Sequence, residues 1–342
     1  WEKTLEIRPE RVTFANGIHL WRQAPDIQLV LNGTFTEVES NPERDTLAAL
    51  ERGTGGTSSS RLVLLQSRGR VAAETALPSL GEGPTALDWQ ADSRAVLVDG
   101  PSGQDALVRL ARGGAMATTT PAQGAWQGSA FIAPNGTTTW TWNSRTGTAN
   151  VEPKATSTRE RSGDFSLEDA PAGMVQLLFD RTFSSRAFSL PPGRWSFAEF
   201  FGNALVLRDG TRWLGVDPRQ TPPFLGQAEG EAPRWLRDDE GPAHGLFAHG
   251  NELWLWALGE APALLARQSD ALVEAAWHAS GDAVFFATKT QLEALELDER
   301  SGRIRQPLAA FDEIRSLDTL GKTVYVAGKR GGIDGLWAVT AE

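Results

Sequence analysis

Residues 275–303 read "AAWHASGDAVFFATKTQLEALELDERSGR". Within them "AVFFA" (283–287) and "LEALEL" (292–297) are short β-compatible runs, the second strictly alternating, and the polar "TKTQ" separates them as a hairpin turn. Upstream, "VEAAW" ends at Trp277 and turns through "HASGD", where Gly281 supplies a backbone free to take positive φ. Downstream, "DERSGR" turns into "IRQPLAAF". The stretch therefore predicts four short strands in chain order, forming one antiparallel meander.

The same phrase recurs. Gly202, Gly241, Gly281 and Gly321 each close the turn after a first strand and lie about 40 residues apart. Around Gly241 the unit reads "RWLRDDEG", "GLFAH", "ELWLWAL", "ALLARQ"; around Gly321 it reads "IRSLDTLG", "TVYVAG", "LWAVTAE", with no fourth strand before the sequence ends. Looser units precede these: "FTEVESNPERD" with "LAALE" and "RLVLLQ", "ALDWQADS" with "AVLVDG" and "ALVRLA", and "FIAPNG" with "TTTWTW". Four-stranded repeats of this period predict an all-β protein, a β-propeller of antiparallel blades. Seven blades are favoured and eight is the alternative, in a single domain spanning 1–342. The N-terminal "IQLVLNG" (27–33) is expected to complete the last blade. The stretch 137–202 is too long for one blade and too short for two; it is expected to be an irregular blade with either an insertion or the long polar outer loop "RTGTANVEPKATSTRERSG".

Four turns carry a family resemblance. "WQADS" (89–93), "IAPNG" (132–136), "WHASG" (277–281) and "LDTLG" (317–321) resemble the bulky residue followed by Ser-Pro-Asp-Gly of the TolB-like, WD-related propeller repeat. Gly is Ser at 93 and Pro survives only at 134. The resemblance implies an exported bacterial propeller acting by binding. A second likeness lies near 160–178, where "GDFSLEDAPAGMVQL" resembles the turn of carboxypeptidase-regulatory-like β-sandwiches, with Val175 in the place of the family's Tyr.

Composition narrows the function. With 33 Lys+Arg against 43 Asp+Glu, the formal charge of −10 opposes non-specific binding to nucleic acid or anionic lipid. No run reaches the roughly 18 apolar residues of a membrane span. The chain has 0 Cys, which excludes disulfides, thiolate metal sites and cysteine nucleophiles. It begins at Trp1 rather than Met, so removal of a leader is expected and a periplasmic or extracellular location with it, a lipoprotein anchor and a cytoplasmic location both staying open. A monomer is expected.

No catalytic set is apparent. His244 and His249 are five apart across a strand and turn and make a poor metal pair; His19 and His278 stand alone. "DDE" (238–240) lacks the spaced ligands of a calcium loop. No serine elbow appears, and carboxylates suited to glycoside hydrolysis are plentiful but unassigned. No catalytic residue, metal ligand or cofactor is assigned. Trp89, Trp235 and Trp277 precede first turns, and Trp140/Trp142 and Trp254/Trp256 share a face in each pair, so all are read as core.

The expected function is a non-catalytic scaffold for a protein partner or an anionic envelope polymer, with a propeller enzyme of the glycosidase, lyase or sialidase kind as the alternative. The docking face is expected at the turns between second and third strands. Those are read as "ERGTGG", "NSRTG", "FDRTFSSR", "RDGTR", "TKTQ" and "KRGG", which carry the candidate ligand-binding residues Arg52, Arg145, Arg181, Arg212, Lys289, Lys329 and Arg330. The first turns are expected to carry acids instead: Asp92, Glu168, Asp238, Asp239 and Asp282.

Overall fold

The opening stretch forms the sheet its alternation predicts: Leu272–Trp277, Ala283–Thr288, Gln291–Glu296 and Arg305–Ala310 pair in chain order, each antiparallel to the next. Gly281 closes the first turn at φ 75, a left-handed value that a side chain would strain. The structure is a computed structural model that describes residues 5–8, 11–14, 19–21, 25–53, 60–77, 86–90, 92–100, 105–111, 114–127, 130–135, 138–153, 158–162, 164–170, 174–181, 184–201, 204–236, 243–297 and 303–340.

Among these residues the four-stranded pattern occurs eight times. The blades span 35–76, 86–119, 125–153, 158–189, 196–229, 234–267, 272–310 and 313–340, here called first to eighth. The fold is thus an all-β propeller of four-stranded antiparallel blades. The eighth blade takes its fourth strand from the other end of the chain, Asp26–Asn32, as "IQLVLNG" predicts; Leu29 lies opposite Trp337 and Ile27 opposite Val339. Gly335 permits this pairing, since a Cβ there would lie 2.7 Å from the carbonyl oxygen of Leu31. A three-stranded meander, Leu5–Arg8, Arg11–Phe14 and His19–Trp21, precedes the closing strand.

The count is eight rather than the favoured seven, and the reason lies between 121 and 202. "AWQ" forms a first strand of three residues, Ala125–Gln127, too short to show a period. "FIAPNG" is therefore a second strand, and the copy of the family-like motif at 132–136 sits one strand later than expected. The polar stretch read as an outer loop holds two strands, Thr148–Pro153 and Thr158–Ser162, which lack apolar alternation. The segment resembling a carboxypeptidase-regulatory sandwich supplies Phe165–Ala170 and Met174–Arg181, the second and third strands of the fourth blade.

Two compact units divide the chain: 1–120 with 270–342, and 121–269. In the former, apolar layers lie between successive blades. Phe285, Leu292, Leu317, Val324 and Trp337 join the seventh and eighth; Phe35, Val63, Tyr325 and Leu336 the eighth and first; Leu50, Leu62, Trp89 and Val96 the first and second. In the latter, Leu177, Trp195, Leu205 and Leu214 join the fourth and fifth blades, and Val206, Trp213, Phe247 and Trp256 the fifth and sixth. Trp89, Trp142, Trp256 and Trp277 are buried as read, whereas Trp140, Trp235 and Trp254 are only half-buried. No helix among the described residues is long and apolar enough to cross a membrane.

Removing residues 1–32 deletes the closing strand and opens the edge formed by 333–340. The melting temperature of that truncation is expected to fall well below that of a 1–24 truncation, by at least about 5 °C. Equal melting temperatures in a thermal scan would refute closure by Asp26–Asn32.

Candidate functional site

A first strand pairs with its second strand along one edge only. Its other edge presents N–H groups that no ladder satisfies, and a buried N–H left without an acceptor costs about 1–3 kcal/mol. In the unit formed by 1–120 and 270–342, side chains of the neighbouring first strand supply the acceptors. The Leu317 amide and the Ser316 hydroxyl donate to Glu274 Oε2 at 2.9 and 2.7 Å. Ser316 Oγ in turn accepts from the amide of Val38 at 3.1 Å. Asp318 Oδ2 accepts from both the amide and the hydroxyl of Ser40, at 2.7 and 2.9 Å. Thr319 donates its hydroxyl to the carbonyl of Trp277 at 2.8 Å, and the Trp89 indole donates to the carbonyl of Glu39 at 2.9 Å.

Ser316 and Asp318 are two apart and so share one side of their strand. Both are buried, at 1% and 5% exposure. The result is a polar seam that joins the first strands of the seventh, eighth and first blades and holds their ends in register. Sequence reading missed it. Its one local signal is the polar Ser-x-Asp alternation inside "IRSLDTL", while its partners lie far away in the chain.

At the end where these first strands begin, second turns gather. Lys289 belongs to the turn of the seventh blade, Lys329 and Arg330 end the second strand of the eighth, and Arg52 follows the second strand of the first. Acids interleave with them. Lys289 Nζ lies 3.9 Å from Glu313, and Arg315 reaches Glu313 at 3.0 Å, Asp334 at 2.7 Å and the carbonyl of Phe35 at 2.7 Å. Arg330 lies over the Trp337 ring, 5.9 Å from its centroid, and donates to the carbonyl of Ala310 at 3.3 Å. Beside it opens a pocket of about 440 Å³ lined by Ala310, Phe311, Asp312, Arg330, Gly331 and Ile333. Ile333 is 46% exposed at its rim, and Asp312 accepts the Gly332 amide at 2.7 Å.

The remaining candidates are placed differently. Arg212 occupies a second turn of the fifth blade, but its guanidinium pairs with Asp209, donates to the carbonyl of Pro192 at 3.1 Å and lies over Trp195. Arg145 and Arg181 fall at turns between third and fourth strands, the opposite ends of their blades from second turns, because the count through this region began one strand late. The Arg145 amide donates to Asn143 Oδ1 at 2.9 Å; the Arg181 side chain lies outside the described residues. Among the acids, Asp92 and Asp282 occupy first turns and Glu168 lies within a second strand, while Asp238 and Asp239 lie outside the described residues, as does "DDE".

At the other end of the seam, where the first strands finish, His278 follows Trp277. Its Nδ1 accepts the Ser280 amide at 3.2 Å and lies 2.7 Å from the Ser280 hydroxyl. Burial holds its pKa below the ordinary 6.5, reinforced by the nearby cations Lys322 and Arg44 and opposed by Asp282. Among the described residues no three His, Asp or Glu side chains come together as a metal site.

No protein-family model and no curated protein matches the chain. Solved structures resemble it at low identity. The WD40 repeats of RRP9 are 11% identical with a TM-score of 0.46, covering 94% of this chain and 99% of that one. U3-55K is 10% identical with a TM-score of 0.47, covering 92% and 98%. The β-propeller domain of Myceliophteria thermophila Cps50 (Swd1) is 13% identical with a TM-score of 0.49, covering 92% and 100%. Strand order, rather than these likenesses, establishes the fold.

Ser316→Ala leaves the buried Val38 amide without its acceptor and is expected to cost about 1–3 kcal/mol in denaturant unfolding. Lys289→Gln, which removes an exposed pair, is expected to change stability by less than about 0.5 kcal/mol. The reverse order would place the organising interaction at the turns instead of the seam.

His278 gives a pH dependence. Folded, it binds its proton less tightly than unfolded, so unfolding takes up protons and stability rises with pH. Its contribution is complete above about pH 6.5 and is lost as pH falls below that toward the folded value. His278→Gln is expected to flatten the stability profile in that window; an unchanged slope would contradict the assignment.

Proposed function

We propose that the protein is a non-catalytic interaction scaffold that captures a partner segment at the second-turn end of the seventh and eighth blades. The observation that carries this reading is the pocket beside Arg330 and Ile333. It combines Phe311, an exposed isoleucine and the Arg330 guanidinium, while Lys329, the preceding residue of the same strand, faces the other side of the sheet. Such a mixture suits a protein segment in which an apolar side chain stands next to an aspartate or glutamate. The apolar group fills the pocket and the carboxylate meets Arg330.

The carboxylates brought together on the first strands do not favour the enzymatic alternative. Glu274 and Asp318 accept bonds from strand amides and hydroxyls, which is the work of a fastener. Export to the periplasm or cell exterior belongs to the proposal, as does kinship with the TolB-like group. Both are supported by the first-turn sequences "WQADS", "WHASG" and "LDTLG".

Fluorescence polarisation with a labelled panel of peptides, Leu or Ile flanked by Asp or by Lys, tests the reading. The acidic peptides are expected to bind saturably, with affinity falling as salt rises, and with losses of at least about tenfold in Arg330→Glu and in Ile333→Asp. No saturable binding, or binding indifferent to both substitutions, would overturn it. Binding of polyglutamate that depends on Arg330 but ignores Ile333 would also overturn the peptide pocket and assign the turns to an anionic polymer.

A further inference from the structure

The seam stitches together the last residues of three first strands, Trp277 to Thr319 and Asp318 to Ser40. The turns that follow those residues are therefore neighbours: 278–282, 321–322 and 41–45. They carry His278, Lys322 and Arg44, one basic group from each of three consecutive blades. This is the end of the unit opposite to the pocket described above.

Arg44 is the unusual member. Its turn is rigid: Asn41, 3% exposed, accepts the amides of Asp45 and Thr46 on its side-chain oxygen at 3.0 and 3.1 Å and the Arg44 amide on its carbonyl at 2.8 Å. Within it Arg44 holds φ 54, a left-handed conformation natural to Gly or Asn and unfavourable for arginine. The equivalent turn positions Ser93 and Gly281 are left-handed too, at φ 58 and 75, so the turn sets this conformation and glycine would adopt it without strain. That side chain is half-buried, yet among the described residues its guanidinium has no hydrogen-bond acceptor and no ion-pair partner within bonding distance. Lys322, exposed on the adjacent turn, has none either.

The acids nearby do not fill this gap. Asp318 acts on Arg44 electrostatically, but its oxygens accept from Ser40 twice and from the Thr319 amide at 2.7 Å. Asp45 accepts from the Asn41 side-chain Nδ2 and the Thr46 hydroxyl at 2.7 and 3.0 Å. Asp282 and Glu43 are exposed to water. A guanidinium carries five donors in a fixed fork, and a half-buried one without acceptors is a ready partner for a planar or tetrahedral oxyanion.

We propose that the first turns of the seventh, eighth and first blades form an oxyanion-binding site in which Arg44 and Lys322 hold a phosphate or carboxylate group beside His278. Arg44 supplies the fork from the rigid turn. Lys322 adds a mobile point charge, and His278 forms a neutral wall whose proton affinity rises when the anion arrives.

The test is calorimetric titration of the full chain at low ionic strength with inorganic phosphate and, separately, with acetate, following the His278 ring protons by NMR with His278→Gln for assignment. Saturable binding of either anion is expected, with the preferred one identifying the class, and with an upward shift of the His278 pKa on binding. Arg44→Gly and Lys322→Gln should each weaken binding by about tenfold or more. Arg44→Gly also separates a binding role from a structural one: relief of the left-handed strain should leave the melting temperature unchanged or raised while binding is lost. Arg330→Glu, at the far end, should bind as the unaltered chain does. Failure of both anions to saturate, or saturable binding that survives Arg44→Gly and Lys322→Gln, would overturn the proposal. So would a fall in melting temperature for Arg44→Gly without a loss of affinity.

Discussion

The open edge of a first strand is the constraint on which the unit built from 1–120 and 270–342 depends. Each sheet can hydrogen-bond its own strands and no others, so successive blades have no backbone ladder between them. Apolar packing between sheets is strong but non-directional and would tolerate sliding. Glu274, Ser316 and Asp318 provide what packing lacks: directional bonds to the amides of Leu317, Val38 and Ser40, at fixed two-residue intervals along facing strands. One blade's side chains thereby act as the missing neighbour of the next blade's edge.

Register along that seam places both ends of the unit. At one end it brings the start of Glu313–Leu320 against Lys289 and the carbonyl of Phe35, so that Arg315 can bridge Glu313 and Asp334 and the turn holding Arg330 frames a pocket. At the other it lines up the turns of Arg44, His278 and Lys322. A chain of −10 formal charge thus keeps its cations locally useful, because each sits on a turn whose position is fixed by buried bonds rather than by long-range attraction.

The blade rhythm was legible because it rests on local chemistry. Trp277, Gly281 and two alternating strands announce one unit, and the spacing to Gly321 repeats it. The closing strand was readable too, since "IQLVLNG" has the composition of a strand, and it pairs with Ile333–Thr340. Where strands are polar, as at Thr148–Pro153 and Thr158–Ser162, or three residues long, as at Ala125–Gln127, no period exists to read. That loss displaced Arg145 and Arg181 by one turn, while Arg52, Lys289, Lys329 and Arg330, in regular blades, lie in or beside second turns. The seam left little trace, because Glu274, Ser316 and Val38 meet only after the fold has formed.

Native-state amide hydrogen exchange measures the central claim residue by residue. The amides of Leu317, Val38 and Ser40 lie on sheet edges and would exchange quickly if their side-chain acceptors were incidental. The seam predicts that all three exchange as slowly as the ladder amides of Val326 and Leu50, opening only with the unit as a whole. Exchange as fast as that of the exposed Lys322 amide would contradict it.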